Sequence, residues 1–256
     1  MSPSSSSNAS QHSKPAPERF ATTRWSIVAA AGQRDAGDAR TALTTLCESY
    51  WYPVYAFIRR QGYSPPDAED CTQAFFAALL DKGYVKSADR TLGRFRTFLL
   101  TTVTRFLSKD RERHRAQKRG GGKKPLSIDA AFAEGRYRLE PADTWTPERI
   151  YERGWALALL DRVVIQLGNR YAEQGKQELF DRLKVFLTGG SPAELHTGLA
   201  VQLDMTAGAL KVAVHRLRQR YRELLKAEIA QTLADPDDVA DELELLLAAL
   251  RGGAGK

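Results

Sequence analysis

Apolar residues recur every three to four positions along most of the chain, which is the spacing of one face of an α-helix. The clearest example lies between residues 191 and 225. A first helix there is predicted by three leucines at four-residue intervals: Leu195, Leu199 and Leu203. The pattern breaks over residues 204–206, and Thr206 is a suitable N-cap for a second helix beginning at Ala207. The segment therefore predicts two helices joined by a tight turn.

The second of these helices is amphipathic. Its buried stripe is predicted to contain Leu210, Val214, Leu217, Tyr221 and Leu224. The opposite face is mostly basic and polar, with Lys211, His215, Arg216, Arg218, Gln219 and Arg222. This arrangement is typical of a helix-turn-helix whose second helix enters the major groove of DNA. A solvated basic surface is the alternative interpretation.

Similar helical patterns precede this segment and predict an all-α fold. One helix is expected through residues 39–50, followed by an aromatic-rich segment that stops at Gly62. Ser64 and Pro65 form a strong helix start, and the helix after them has an acidic and polar outer face. Pro147 opens a further long helix.

Changes in composition divide the chain into five segments. We expect two small helical domains joined by an irregular linker, because residues 118–143 begin with Gly and Lys and show no sustained periodicity. The predicted divisions are a disordered tail over 1–19, a helical domain over 20–117, the linker over 118–143, a helix-turn-helix domain over 144–232 and an acidic helical extension over 233–256.

Positive charge is concentrated in one part of the chain. The whole sequence has 38 Lys and Arg against 31 Asp and Glu, a net charge of +7. Between Arg90 and Lys124 there are twelve basic and two acidic residues, so the remainder is slightly acidic. Phe95, Phe98 and Phe106 alternate with these cations. Cations and flat rings together favour single-stranded nucleic acid, although most of the rings are expected to be core.

Several classes of protein are disfavoured by what the sequence lacks. Cys47 and Cys71 have no metal-binding spacing, and we expect both to be buried thiols. Neither a signal peptide nor a membrane-spanning run is evident, which favours the cytoplasm and no membrane contact. Motifs of common enzymes are missing, so we expect a non-enzymatic protein without cofactor or metal.

The order of the motifs resembles bacterial RNA polymerase sigma factors of the extracytoplasmic-function type. The resemblance is carried by DAEDCTQAFFAALL, then GRFRTFLLTTVTRFLSKDRER, a basic exit and a C-terminal helix-turn-helix. The first two of these segments resemble the family pattern, which is roughly D-A-E-D-x-x-Q-E-x-F followed by F-R-T-W-L. The resemblance covers about residues 40–118 and 145–225. The resemblance implies a subunit that binds core RNA polymerase and directs promoter-specific transcription initiation.

The resemblance also implies roles for individual residues. Contact with the polymerase clamp would fall to Asp70, Gln73, Ala74 and Ala77. Melted minus-ten DNA would be held by a loop over 100–105 and a helix over 106–113, with contacts from Phe98, Thr104, Arg105, Lys109 and Arg113. Duplex minus-thirty-five DNA would be read by Lys211, Val212, His215, Arg216 and Arg218.

Three positions depart from the family pattern. Ala74 stands where the family has Glu, which puts the strength of the clamp contact in question. Phe98 replaces the usual Trp, and Arg105 stands where Asn is common, which leaves the preferred minus-ten bases open. Beyond polymerase and promoter DNA, an anti-sigma factor or a regulatory kinase is a further partner to consider.

Other functions remain open at this point. A conventional dimeric helix-turn-helix regulator would explain residues 191–225 without any polymerase contact. A module that sequesters a protein partner is a third class, which the localised basic charge disfavours. The acidic C-terminal segment predicts a helix with Val239, Leu243, Leu246 and Leu250 on one face. It would either complete the core or shield the basic recognition helix.

Overall fold

Most of the described residues lie in helices. The computed structural model describes residues 36–81, 88, 94–116, 130–140, 145–187, 193–233 and 235–251. Over these ranges no strand is present, so the predicted all-α class is confirmed. The predicted tail over 1–19, the first part of the linker and residues 252–256 lie outside the described residues.

Nine α-helices are found in the described part of the chain. They are α1 (Ala36–Arg60), α2 (Pro65–Asp81), α3 (Phe95–Ala116), α4 (Ala130–Tyr137), α5 (Pro147–Glu173), α6 (Gln177–Leu183), α7 (Ala193–Gln202), α8 (Ala207–Ala230) and α9 (Val239–Leu250). A 3-10 turn, Lys184–Leu187, extends α6, and another, Pro236–Asp238, precedes α9.

Helices α1 and α5 form the centre of the fold. They make the most extensive helix–helix contact, and α5 also packs against α6, α8 and α9. Gly154 permits a close approach: a Cβ built there would lie 3.2 Å from the Cα of Pro53 and 3.3 Å from the ring of Tyr52. Even an alanine there would require a neighbouring atom to shift by a few tenths of an ångström, so glycine allows the two helices to lie this close.

Several helix ends lie where capping residues in the sequence predict them. The hydroxyl of Thr206 accepts a hydrogen bond from the backbone N–H of Ala209 at 3.1 Å, and α8 begins at Ala207 as predicted. Thr146 caps α5 in the same way ahead of Pro147. Gly62, predicted to end a helix, has φ +93° two residues after α1. Such caps depend on adjacent residues alone, which makes them readable from sequence.

The turn between α7 and α8 uses an aspartate in the left-handed region. Asp204 has φ +50°, and its N–H donates to the carbonyl of Val201 while that of Met205 donates to Ala200 at 2.9 Å. The same pattern of backbone bonds ends α5, where Gly175 has φ +69°. This is a Schellman turn, in which glycine is the usual residue. Asp204 thus sets the angle between the two helices at some conformational cost.

The predicted irregular linker contains helix α4. Ala133 is buried, and the carboxylate of Glu134 accepts from the Tyr55 hydroxyl at 2.7 Å and the Arg59 Nε at 2.9 Å. The prediction of irregular structure over 118–143 is therefore wrong for residues 130–137. An eight-residue helix is too short to be stable alone or to display a period, and its contacts with α1 stabilise it.

The loop implied over residues 100–105 is also wrong. These residues lie inside α3, which runs without interruption from Phe95 to Ala116. Leu99, Val103 and Leu107 are buried at four-residue spacing, and this continuous stripe keeps the segment helical.

One apolar core joins the two halves of the chain. Its residues extend from Leu46 in α1 to Leu246 in α9. The described structure therefore does not separate into two cores at the predicted boundary near residue 143. Cys47 and Cys71 are both buried in it, as predicted.

Candidate nucleic-acid interface

The outward side of α8 is the most exposed of the predicted sites. Lys211, Val212, His215 and Arg216 form what we call the α8 outer face, and all four are exposed, Val212 to 49%. Leu210, Val214 and Leu217 on the opposite side are buried, with Tyr221 half-buried and Leu224 buried further along. The helix-turn-helix thus turns its apolar stripe inward and offers cations, an imidazole and a methyl-bearing side chain to a partner.

Arg218 differs from its predicted neighbours. It is half-buried, and its Nε donates to the backbone carbonyl of Phe186 at 3.0 Å. This bond ties α8 to the end of the α6 segment. Arg218 therefore supports the α8 outer face in addition to adding charge near it.

Arg220 was missed by the sequence pattern. It is exposed, and its guanidinium carbon lies 5.4 Å from the centre of the Tyr171 ring in α5. Next to it, burial and the carboxylate of Asp161 raise the pKa of Tyr221 to about 12. A second anchor of α8 on α5 is provided by Gln166, whose Nε2 donates to Glu228 at 2.9 Å.

A second polar surface runs along α3. Thr104, Arg105 and Lys109 are exposed, together with Thr101 and Ser108. The side chain of Arg113 lies outside the described residues. The hydroxyls of Thr101, Thr104 and Ser108 each donate to the carbonyl four residues earlier, at 2.8–3.0 Å. Their oxygens still have lone pairs to offer, so this surface, the α3 outer face, combines hydroxyls with two cations.

The aromatic residues of α3 belong mainly to the core. Phe95 is buried, and Phe98 is half-buried with its ring stacked on that of Phe95 at 5.8 Å. Phe106 is half-buried and lies edge-on to Phe75 at 5.6 Å. Most rings in this segment are therefore packed, as expected, and Phe98 is the less buried member of this pair.

Part of the basic charge counted in the sequence is neutralised within the fold. Arg96 is only 5% exposed and pairs with Glu152 at 2.8 Å and with Glu242. Arg94 also pairs with Glu242, at 2.7 Å. These pairs join residues far apart in sequence, so composition alone could not reveal them.

The predicted polymerase-binding residues lie on α2. Asp70, Ala74 and Ala77 are exposed at a spacing of four and three residues, which puts them on one side of the helix. Gln73 is half-buried, and its Nε2 donates to Glu69 at 3.2 Å. We call the three exposed residues the α2 outer face: one carboxylate beside two small side chains.

A second ion cluster lines a cavity of about 470 Å³ at the junction of α1, α4 and the start of α5. Glu134 pairs with Arg59 and with Arg138. The hydrogen bonds from Arg59 hold the pKa of the Glu134 carboxyl below its usual range, and burial together with Glu134 raises that of Tyr55. Arg59 and Arg138 share the one carboxylate of Glu134, and Arg60 donates its Nε to the carbonyl of Trp145 at 2.8 Å, so all three cations have partners within the fold.

Other kinds of site are not evident in the described ranges. No group of three His, Cys, Asp or Glu side chains there is arranged to hold a metal ion. Within the same ranges, every helix is too short or too polar to cross a bilayer. No protein-family model matches the chain, and neither a curated protein nor a solved structure gives a significant match.

Proposed function

We propose that the chain is a sigma factor of the extracytoplasmic-function type, which binds core RNA polymerase and directs promoter-specific transcription initiation. The α8 outer face carries this proposal. Lys211, His215 and Arg216 are exposed on the second helix of a helix-turn-helix whose other side is buried. A helix of this kind fits the major groove, where arginine reads guanine and apolar groups contact the thymine methyl.

The α3 outer face is proposed to contact melted minus-ten DNA. Arg105 and Lys109 would bind phosphates, and the hydroxyl oxygens of α3 would accept hydrogen bonds from the amino groups of bases. Phe98 would contribute little, since it is half-buried and its ring is stacked on Phe95.

The α2 outer face is proposed to bind the polymerase clamp. Asp70 supplies the charge, and Ala74 and Ala77 leave room for a partner side chain beside it. Since single rim charges contribute modest affinity, this contact would act together with DNA binding.

Run-off transcription with purified core polymerase on a library of promoters tests the proposal. The native chain should support initiation on a defined subset, and Arg216→Ala should change that subset. Lys226→Ala, an exposed cation later on α8, is the matched control and should leave promoter choice unchanged. Absence of polymerase-dependent initiation on every promoter would sink the proposal.

A conventional helix-turn-helix regulator is the second candidate, and one observation favours it. The apolar core is continuous between the two halves of the chain, as in a protein that binds DNA as one body. Such a regulator should bind an operator tightly without polymerase. A sigma factor should bind weakly alone, because its two contacts reinforce each other only on the enzyme. Binding of duplex DNA by the isolated protein distinguishes the two.

A further inference from the structure

The cavity at the junction of α1, α4 and the start of α5 is lined by more positive than negative groups. Its charged lining residues are Arg59, Arg60, Arg138, Glu134 and Glu140. One of the two carboxylates, that of Glu140, is also paired at 2.8 Å with Arg153, which lies outside the lining. Four guanidiniums of this cluster therefore share two carboxylates, and the cavity has an excess of positive charge.

Both carboxylates of the cavity are bound by side chains of the protein itself. The two oxygens of Glu134 accept four hydrogen bonds from three side chains. In Glu140, Oε1 accepts from the Tyr52 hydroxyl at 2.9 Å and Oε2 from the Nε of Arg153 at 2.8 Å. Glu140 is also buried. A molecule that enters the cavity therefore meets acceptors that are already engaged.

Two guanidiniums of the cavity keep most of their donors. Arg60 donates its Nε to the carbonyl of Trp145 at 2.8 Å, and Arg138 donates its Nε to Glu134 at 3.4 Å. Among the described residues, the terminal Nη1 and Nη2 groups of both side chains have no hydrogen-bond partner. Arg59, in contrast, uses all three of its nitrogens on Glu134 and a backbone carbonyl. A guanidinium with both terminal nitrogens free can bind two oxygens of a carboxylate or phosphate at once.

The cavity is large enough for an organic molecule as well as for a simple ion. Its volume of about 470 Å³ lies within the usual range of small-molecule sites. Pro65 and Ile150 contribute apolar surface to the lining. Tyr137 contributes a ring, which lies 4.9 Å from the guanidinium carbon of Arg59, and a hydroxyl for which the described part of the chain supplies no partner. The lining thus suits a molecule that combines an anionic group with a small apolar part.

We infer that this cavity binds a small organic oxyanion, a phosphate ester or a carboxylate, through the guanidiniums of Arg60 and Arg138. The anionic group offsets the positive excess of the lining and accepts hydrogen bonds from the free terminal nitrogens. The apolar part of the molecule lies against Pro65 and Ile150. None of these residues belongs to the α2, α3 or α8 outer face, so the site stands apart from the proposed polymerase and DNA contacts.

Isothermal titration calorimetry of the full chain with three ring-bearing probes tests the chemistry of the ligand. The probes are phenyl phosphate, benzoate and the uncharged benzyl alcohol. At least one of the two anions should bind with a stoichiometry of one, and at least about tenfold more tightly than benzyl alcohol, because the alcohol lacks a charge-assisted hydrogen bond. Tighter binding of phenyl phosphate assigns the site to phosphate esters, and tighter binding of benzoate assigns it to carboxylates. Failure of both anions to bind at millimolar concentration overturns the inference.

Three variants locate the binding of the tighter anion. Arg60→Gln should weaken it at least about tenfold, since it removes a charged donor from the half-buried wall of the cavity. Arg138→Gln should weaken it about two- to fivefold, because this side chain is 76% exposed. Arg170→Gln, an exposed arginine of α5 outside the lining, is the matched control and should keep the native affinity. Unchanged affinity in both cavity variants, or an equal loss in all three, would overturn the site.

Nuclear magnetic resonance of the native protein decides the matter if Arg60→Gln loses its fold together with the bond to Trp145. The Nε–Hε signal of Arg60 reports on a group bonded within the fold, and the tighter anion should shift this signal in proportion to the occupancy of the site. The signal of Arg170 should stay in place. A shift confined to arginines outside the cavity would reject the site.

Discussion

The start of α3 and the α8 outer face are both basic in sequence but use their charges differently. In α8 the cations Lys211 and Arg216 are exposed on the outward side. At the start of α3, Arg94 and Arg96 are paired with Glu242 and Glu152. A count of cations along a sequence therefore overstates what a partner can meet, because a carboxylate from a distant helix can neutralise them.

The largest expected effect is on stability and comes from Arg96→Met. The change leaves the buried Glu242 with one of its two guanidinium partners, and we expect a loss of about 3–5 kcal/mol in the free energy of unfolding. Urea denaturation measures it. Arg216→Ala, on the exposed side of α8, should change stability by less than about 0.5 kcal/mol. A similar loss in both variants would contradict the distinction between the two helices.

Replacing both partners sharpens this test. Arg96→Met with Glu242→Met removes the buried charges together, and the double variant should be more stable than Arg96→Met alone. Additive losses would show that Arg96 stabilises the fold mainly through its other two contacts, the ion pair with Glu152 and the ring of Trp155.

A smaller effect is expected at the second ion cluster. Glu134→Gln should lower the free energy of unfolding by about 1–3 kcal/mol, since charged hydrogen bonds from Arg59 and Tyr55 are weakened. The pKa of Glu134 is lower in the folded than in the unfolded chain. Its contribution is therefore present above the unfolded pKa and is lost as the pH falls through the folded one. Denaturation at neutral and acidic pH should show the native and Glu134→Gln proteins converging in acid.

Arg216→Ala tests whether an exposed cation of α8 reads DNA bases. If Arg216 reads a guanine, its loss should cost about 1–3 kcal/mol on the preferred duplex and little on others. Fluorescence anisotropy on matched duplexes, in the presence of core polymerase, measures this. Lys109→Gln is the contrasting variant: it should weaken binding to all sequences and reduce the salt dependence by about one unit of slope or less. Equal losses on every duplex from Arg216→Ala would rule out base reading.

The smallest expected effect concerns the turn that orients α8. Asp204→Gly should raise stability by about 0.5–1 kcal/mol, because glycine adopts a positive φ without strain. Gly175→Ala, in the equivalent turn after α5, should lower the stability by a similar amount. The loss would come from backbone strain alone, because no atom lies within 4 Å of the added Cβ. Thermal denaturation of the two variants measures both changes in stability, which should have opposite signs.

Short-range features were predictable from the sequence, and long-range ones were not. Thr206, Thr146 and Gly62 act on backbone groups within a few residues, and the stripe from Leu210 to Leu224 follows from helical geometry. The pairing of Glu242 with Arg96 depends on how α9 packs on α5, which no local pattern encodes. Helix α4 was missed for the same reason, because its stability comes from α1.

The residues of the candidate site show the same difference between short-range and long-range features. The exposure of Lys211, His215 and Arg216 followed from the phase of the α8 stripe, whereas Val212 was named only through the resemblance. Arg218 lies at the edge of that stripe, and only the position of the Phe186 carbonyl decides that it is bound inward. The resemblance implied a loop within α3. This prediction was wrong, because the apolar residues of the segment follow a clear helical period.

The close approach at Gly154 has a consequence for handling the protein. A fragment that ends before α5 would expose the side of α1 around Pro53, an apolar seam shaped to receive another helix. In solution such a fragment would offer that seam to its own copies and would tend to self-associate. The smallest piece expected to remain monodisperse on a sizing column is therefore one that keeps α1 and α5 together.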